Sequence, residues 1–176
     1  MKLLSTFIVC LLLTCSLFAQ STKQVEDKLF KVNLILPGVN YELGAGERTT
    51  LNFELGLIPD WDGDFEIFPY LGADYRYFTN LGRRVNKGKH ISGNSGDYIA
   101  FTNRLLVAAP LLGNFEYDSP LLYVGGLVYG IQRTYNSGFY WGVSFGPAFF
   151  TGDNDPGIGV LSDIKLGWVI GKNKMK

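Results

Sequence analysis

Cysteine is almost absent from this chain, and histidine occurs once, as His90. Both cysteines, Cys10 and Cys15, fall within residues 1–19, so the remainder has no disulfide framework, thiol nucleophile or thiolate metal site. Long apolar runs are missing too. Beyond Phe18 no stretch approaches the length of about 18 residues that a membrane helix needs, so any bilayer crossing must use strands. Charge of one sign is not in excess either. The 16 basic and 16 acidic residues leave a formal net charge of zero, which argues against a general nucleic-acid partner.

Glycine and aromatic residues are abundant, with 22 glycines and 15% Phe, Trp and Tyr. Strands that approach one another closely and carry aromatic belts use this composition, whereas helical bundles do not. The N-terminus has one cation, Lys2, then an apolar run from Leu3 to Phe18, then Ala19 and a polar stretch. That is a signal-peptide pattern, with cleavage expected after Ala19 and a single domain expected over residues 20–176.

Apolar residues then recur with a period of two, which predicts strands. The clearest case is FYWGVSFGPAF, residues 139–149, with Phe139, Trp141, Val143, Phe145, Pro147 and Phe149 on one face. The other face carries Tyr140, Gly142, Ser144, Gly146 and Ala148. Similar alternation runs through residues 51–57, 65–78, 98–109, 121–132 and 158–170. In the first segment Phe30, Val32, Leu34 and Leu36 alternate with polar neighbours, and the phase flips at Pro37-Gly38, predicting a bulge or turn there. Pro69, inside a strand pattern, predicts a second bulge. Residues 80–96 form the longest irregular stretch, where Asn80 is expected to cap a short helix over residues 81–87 and Gly88 to end it.

The narrow faces of these strands carry charge: Lys31, Glu42, Glu54, Glu66, Asp74, Arg76, Arg104, Asp163 and Lys165, diluted by Gly and Ala. A soluble barrel would turn such residues to water. A membrane barrel turns its broad apolar face to lipid and its narrow face to the lumen, where small residues are needed for space. Tyr41, Tyr77, Tyr98, Tyr135 and Trp168, near strand ends, are read as interfacial aromatics. The expected fold is therefore all-β: a single antiparallel up-and-down transmembrane β-barrel of about eight strands, in the cell outer membrane. The eighth strand comes from dividing the first segment at Pro37-Gly38. Short turns at residues 44–48 and 136–138 share one end, which is expected to face the periplasm together with the basic segment 80–96.

The segments YRYFTNLGRRVNKGKHISGNSGDYIAF (75–101) and VYGIQRTYNSGFYWGVSFGPAFF (128–150), followed by LGWVIGK (166–172), resemble small bacterial outer-membrane β-barrel proteins of largely unassigned function. The resemblance implies outer-membrane lipid and the barrel-assembly machinery as partners, and no particular activity.

Two candidate functional sets follow. The first is a lumen charge network of Glu54, Glu66, Asp74, Arg76, Arg104, Asp163 and Lys165, of both signs and therefore able to pair across the barrel and close it. The second is the basic periplasmic segment with Arg83, Arg84, Lys87 and Lys89, suited to an anionic headgroup or a periplasmic polymer, or to plain solvation. His90, Ser92, Ser95 and Asp97 include the residue types of a hydrolase triad, but they crowd one loop with no strand to hold base against nucleophile, so they are read as mobile, solvated residues and no enzyme is expected. Asp60, Asp62, Asp64 and Glu66 lack the spacing of a calcium loop and allow a weak surface ion site at most, so no metal or cofactor is expected. The functional expectation is a structural or surface-interacting barrel with a filled lumen. The alternatives are a small channel for ions or solutes and a soluble lipocalin-like binding barrel.

Overall fold

The computed structural model describes residues 23–60, 65–113, 121–151 and 156–170. The expected signal segment, the Asp62 and Asp64 positions and the basic tail beyond residue 170 lie outside these. Eight antiparallel strands follow one another around a closed barrel. They are β1 (Lys28–Asn33), β2 (Gly38–Gly44), β3 (Thr49–Asp60), β4 (Glu66–Phe78), β5 (Gly96–Val107), β6 (Leu121–Thr134), β7 (Phe139–Phe150) and β8 (Gly157–Ile170). Each pairs with its sequence neighbour, and β1 closes the ring against β8 from Phe30↔Ile170 to Asn33↔Gly167. The first segment does divide at Pro37-Gly38, giving the β1–β2 hairpin with its turn at 34–37.

An even strand number brings the start of β1 and the end of β8 to the same end of the ring. The connections 45–48, 79–95 and 135–138 share that end, so it also holds α1 (Leu81–Asn86). Period-two alternation sorts the side chains as the sequence predicts. In β3, for example, Thr50, Asn52 and Glu54 point inward and are buried, while Leu51, Phe53 and Leu55 point outward and are exposed. The outer surface is mainly large apolar side chains, among them Leu71, Phe101, Leu127, Phe145 and Ile164, each more than half exposed.

Three expectations are corrected. Pro69 makes no bulge: β3 and β4 stay in continuous register through Leu57↔Pro69. Ile67 sends its N–H away from β3, to the Leu112 carbonyl at 3.0 Å. Pro69 has the same parity, so its missing N–H falls on the side where the β5 ladder, which begins at Tyr70↔Leu106, has already ended. Asn80 makes no side-chain cap on α1. Its Oδ1 instead accepts the Asp97 N–H at 2.9 Å, tying the helix to the start of β5. Tyr98 is not an interfacial residue. It faces inward and packs with Phe78 and Leu81 in an apolar cluster just inside the barrel mouth.

Candidate functional site

The barrel interior is built from the charged residues of the narrow faces, and it brings them into contact. Lys31 Nζ donates to Glu42 at 2.5 Å and to Gln132 Oε1 at 2.8 Å. The other Glu42 oxygen accepts from Thr50 at 2.8 Å and from Asn94 Nδ2 at 2.9 Å. Arg76 sits above this pair, 3.8 Å from Glu42, and donates to Asp74 at 2.6 Å. Asp74 also accepts from Asn52 and from Thr102, at 3.1 and 2.6 Å. One level further, Lys165 binds Glu54 and lies 3.4 Å from Asp163, which accepts from Arg104 at 2.5 Å. Asn33 links the levels: it donates to Asn40 and Glu54 and accepts from Tyr140.

Four cations (Lys31, Arg76, Arg104, Lys165) thus meet four carboxylates (Glu42, Glu54, Asp74, Asp163), and the core balances its own charge. Glu66 stands apart from the other predicted network residues. It is buried at the opposite rim against Gly113, with Phe68, Tyr70 and Gly72 intervening along β4 before Asp74.

Aromatic rings complete the filling. Lys31 lies 5.2 Å from the Tyr140 ring centroid, Arg76 lies 5.0 Å from that of Tyr98, and Arg104 lies 5.5 Å from that of Tyr70. Each of these cations therefore has both a carboxylate and a ring, which offsets much of its lost hydration. Inward glycines make room for the rings. A Cβ on Gly56 would come within 2.5 Å of the Tyr70 ring, and one on Gly130 would run into Tyr98. Beside Arg76, Gln132, Tyr140 and Asp163 there is a void of about 10 Å³, at the lower limit for one water molecule.

The end at which β1 starts and β8 finishes is corked. Residues 91–95 fold into the barrel mouth, with Asn94 and Ser95 fully buried and Ser92 nearly so. The Gly93 carbonyl accepts from Gln132 Nε2 and from Thr134 Oγ1, both at 3.0 Å. Gly93 has φ +61°, and a Cβ there would press on the Thr134 side chain at 2.7 Å, so both backbone and space require glycine. From outside, Glu26 straps the cork: its N–H donates to Asn94 Oδ1 at 2.8 Å and its carboxylate accepts the Gly93 N–H at 3.2 Å.

This corrects the expectation of a mobile, solvated loop. The Ser95 hydroxyl lies within hydrogen-bonding distance of the Ser92 and Thr134 carbonyls and accepts the Thr134 N–H at 2.8 Å. Asp97 is paired with Arg133, and His90 is exposed. The four triad-type residues therefore sit in different settings: Ser92 and Ser95 buried, Asp97 in an ion pair and His90 exposed. Sequence reasoning missed the cork because Ser-Gly-Asn-Ser has the composition of an ordinary turn. The one local signal was the Gly-Asn pair, the residue types that tolerate positive φ. No cluster of three or more candidate metal ligands occurs among the described residues.

The predicted basic residues come together outside the lumen. Arg83, Arg84, Lys87 and Lys89 line a recess of about 270 Å³ with Asn80, Asp97 and Arg133. Asp97 and Arg133 lie on the outward faces of β5 and β6, which sequence reasoning did not connect with α1. Arg133 donates to Asp97 at 2.6 Å. Arg84 Nη2 donates to the His90 carbonyl at 3.1 Å, while its Nε, shielded from solvent, has no hydrogen-bond partner. Desolvation, and then the neighbouring Arg133 charge, hold the Arg84 guanidinium below its ordinary pKa.

Fold and site together define a class: an eight-stranded closed antiparallel barrel with a polar, self-neutralising core, an apolar exterior and a cationic rim. No protein-family model, curated protein or solved structure matches the chain.

Proposed function

We propose that the protein is an integral outer-membrane β-barrel whose lumen is filled by its own side chains and which serves a structural or surface-interacting role. One observation carries this reading: the polarity of the barrel is inverted relative to a soluble protein. Glu42 and Asn94 inside are fully buried, while Ile158, Val160 and Phe145 outside are 86%, 73% and 61% exposed. In water that exterior would be an apolar patch spanning the circumference, far larger than monomers tolerate. In a bilayer it is the surface lipid requires. Aromatic side chains near the end where β1 starts and β8 finishes, Tyr41, Tyr77, Tyr135 and Trp168, are exposed outward and suit the level of the headgroups. That end faces the periplasm in this reading.

The lipocalin-like alternative needs an open apolar cavity inside, and the interior here is filled by ion pairs, amides and packed rings. A channel needs an unobstructed lumen, and here the paired charges, the tyrosine rings set against them and the 91–95 cork occupy it. No catalytic step is assigned. The test is fractionation of a diderm host expressing the whole chain, followed by planar-bilayer recording of the purified protein. Recovery with the outer membrane after alkaline wash, together with the absence of a stable conductance, is the expected result. Recovery in the soluble periplasm contradicts the membrane assignment. A conductance whose ion selectivity changes in Arg104→Glu contradicts the closed lumen.

A further inference from the structure

We propose that the recess between α1 and the outer face of β5–β6 is a binding site for the phosphate headgroup of an anionic phospholipid. The inference rests on the membrane reading above and adds a ligand class and a place. Charge comes first. Five cations line the recess against one carboxylate, Asp97, and that carboxylate is already bonded to Arg133 at 2.6 Å. Elsewhere the fold pairs its buried cations one for one, so this excess is not a property of the chain at large. A multivalent oxyanion supplies what is missing, since guanidinium and ammonium groups bind phosphate through charge-assisted hydrogen bonds. Arg84 also lines the recess, and its guanidinium is held in place by the Nη2 hydrogen bond to the His90 carbonyl at 3.1 Å.

Position then selects a lipid. The recess opens on the outer side of the barrel, not at the lumen mouth, because Asp97 and Arg133 are outward residues of adjacent strands. The next outward side chains toward the middle of the barrel are Ile99, Phe101, Ile131 and Tyr129, all apolar. Tyr77 and Tyr135 lie at the same end. A ligand held here has its anionic end among the cations and an apolar track beneath it, which fits an amphiphile. A volume of about 270 Å³ accommodates one headgroup, not a strand of polymer.

The experiment compares wild type with Arg83→Gln/Lys87→Gln/Lys89→Gln, three exposed positions, each as the whole chain reconstituted into mixed vesicles with phosphatidylcholine as the major and phosphatidylglycerol as the minor lipid. Heat-modifiable migration reports folding, and native mass spectrometry counts the lipids retained. The expected result is enrichment of phosphatidylglycerol on wild type by roughly tenfold, lost in the triple variant and kept in Lys28→Gln, an exposed cation beyond the recess. The double variant Lys87→Gln/Lys89→Gln, which leaves α1 intact, is expected to lose part of it. Equal retention by folded wild type and triple variant overturns the proposal while leaving the membrane reading in place. Failure of wild type to enter vesicles overturns both. If inorganic phosphate binds wild type in zwitterionic micelles and phosphatidylglycerol shows no enrichment, the site serves a soluble anion and the lipid assignment is overturned.

Discussion

Two groups of four cations each, one inside the barrel and one on α1 and the loop after it, are treated in opposite ways. Lys31, Arg76, Arg104 and Lys165 lie inside the barrel, and each has a carboxylate at ion-pair distance. Arg83, Arg84, Lys87 and Lys89 crowd the rim, where the one carboxylate lining their recess, Asp97, is engaged by Arg133. The difference follows from solvation. A cation cut off from water must find its counter-charge within the fold or the fold fails, whereas a rim cation can leave that to solvent or to an outside partner. Interior charges are accordingly structural, and rim charges are where interaction is to be sought.

Removing one interior partner should therefore have the largest effect. In Glu42→Ala the Lys31 ammonium, Asn94 and Thr50 lose their shared acceptor, and the expected cost is about 3–5 kcal/mol. It is read as a lower denaturant midpoint for the protein refolded in detergent. The double variant Lys31→Met/Glu42→Gln should cost less than Glu42→Ala, because no unpaired charge remains in the core. A double variant as unstable as the single would mean that the pairing is not what matters.

Next in size is Gly93→Ala. The left-handed backbone and the Thr134 side chain both oppose a Cβ, and the expected cost is about 1–3 kcal/mol. Hydrogen exchange should quicken across residues 91–95 while the strand ladders remain protected. Uniform loss of protection would show that the cork and the barrel are one cooperative unit.

How far the sequence foretold these parts depends on the range of the contacts that fix them. The faces of all the strands were legible, because pleating alone sends alternate residues to opposite sides. For the same reason Lys31, Glu42, Asp74 and Arg104 could be assigned to the interior without knowing their partners. Division at Pro37-Gly38 was legible as a change of phase. The pairing of Asp163 with Arg104, 59 positions apart, depends on register around a closed ring and has no local signature. Tyr98 lies near a strand end like the outward rim aromatics, but it shares the parity of Ala100 and Thr102, which turns it inward, and the missing side chain at Gly130 leaves room for its ring. The cork was illegible because the burial of Asn94 is set by the barrel mouth and not by its neighbours in the chain. Arg133 escaped attention as a rim residue because the partners that give it meaning, Asp97 and α1, come from distant parts of the sequence.

At the rim the expected effects on stability shrink. The triple variant Arg83→Gln/Lys87→Gln/Lys89→Gln should unfold within about 0.5 kcal/mol of wild type, as surface changes do, while altering lipid retention. A large loss of stability would erase the distinction between the two cation groups. Smallest of all is the response to acid of the strap at residues 23–27. Lys23, by hydrogen bond and charge, holds the exposed Asp27 carboxyl below its ordinary pKa. A carboxyl with a depressed folded-state pKa contributes above the unfolded value and loses that contribution as pH falls through the folded one. Acidification below the usual carboxylate range should thus loosen residues 23–27 slightly, as faster exchange that Asp27→Asn reproduces at neutral pH.

Which side of the strands meets lipid decides whether the barrel is a membrane protein, and one fluorescence measurement tests that directly. Phe145→Trp, outward at the middle of β7, is made in a background whose three native tryptophans are phenylalanine, and the protein is refolded into vesicles with brominated acyl chains. Strong quenching by the brominated chains and little by iodide in the buffer is the expected result. Quenching by iodide with none from the lipid would mean that the apolar face meets water, and the barrel would not be a membrane protein.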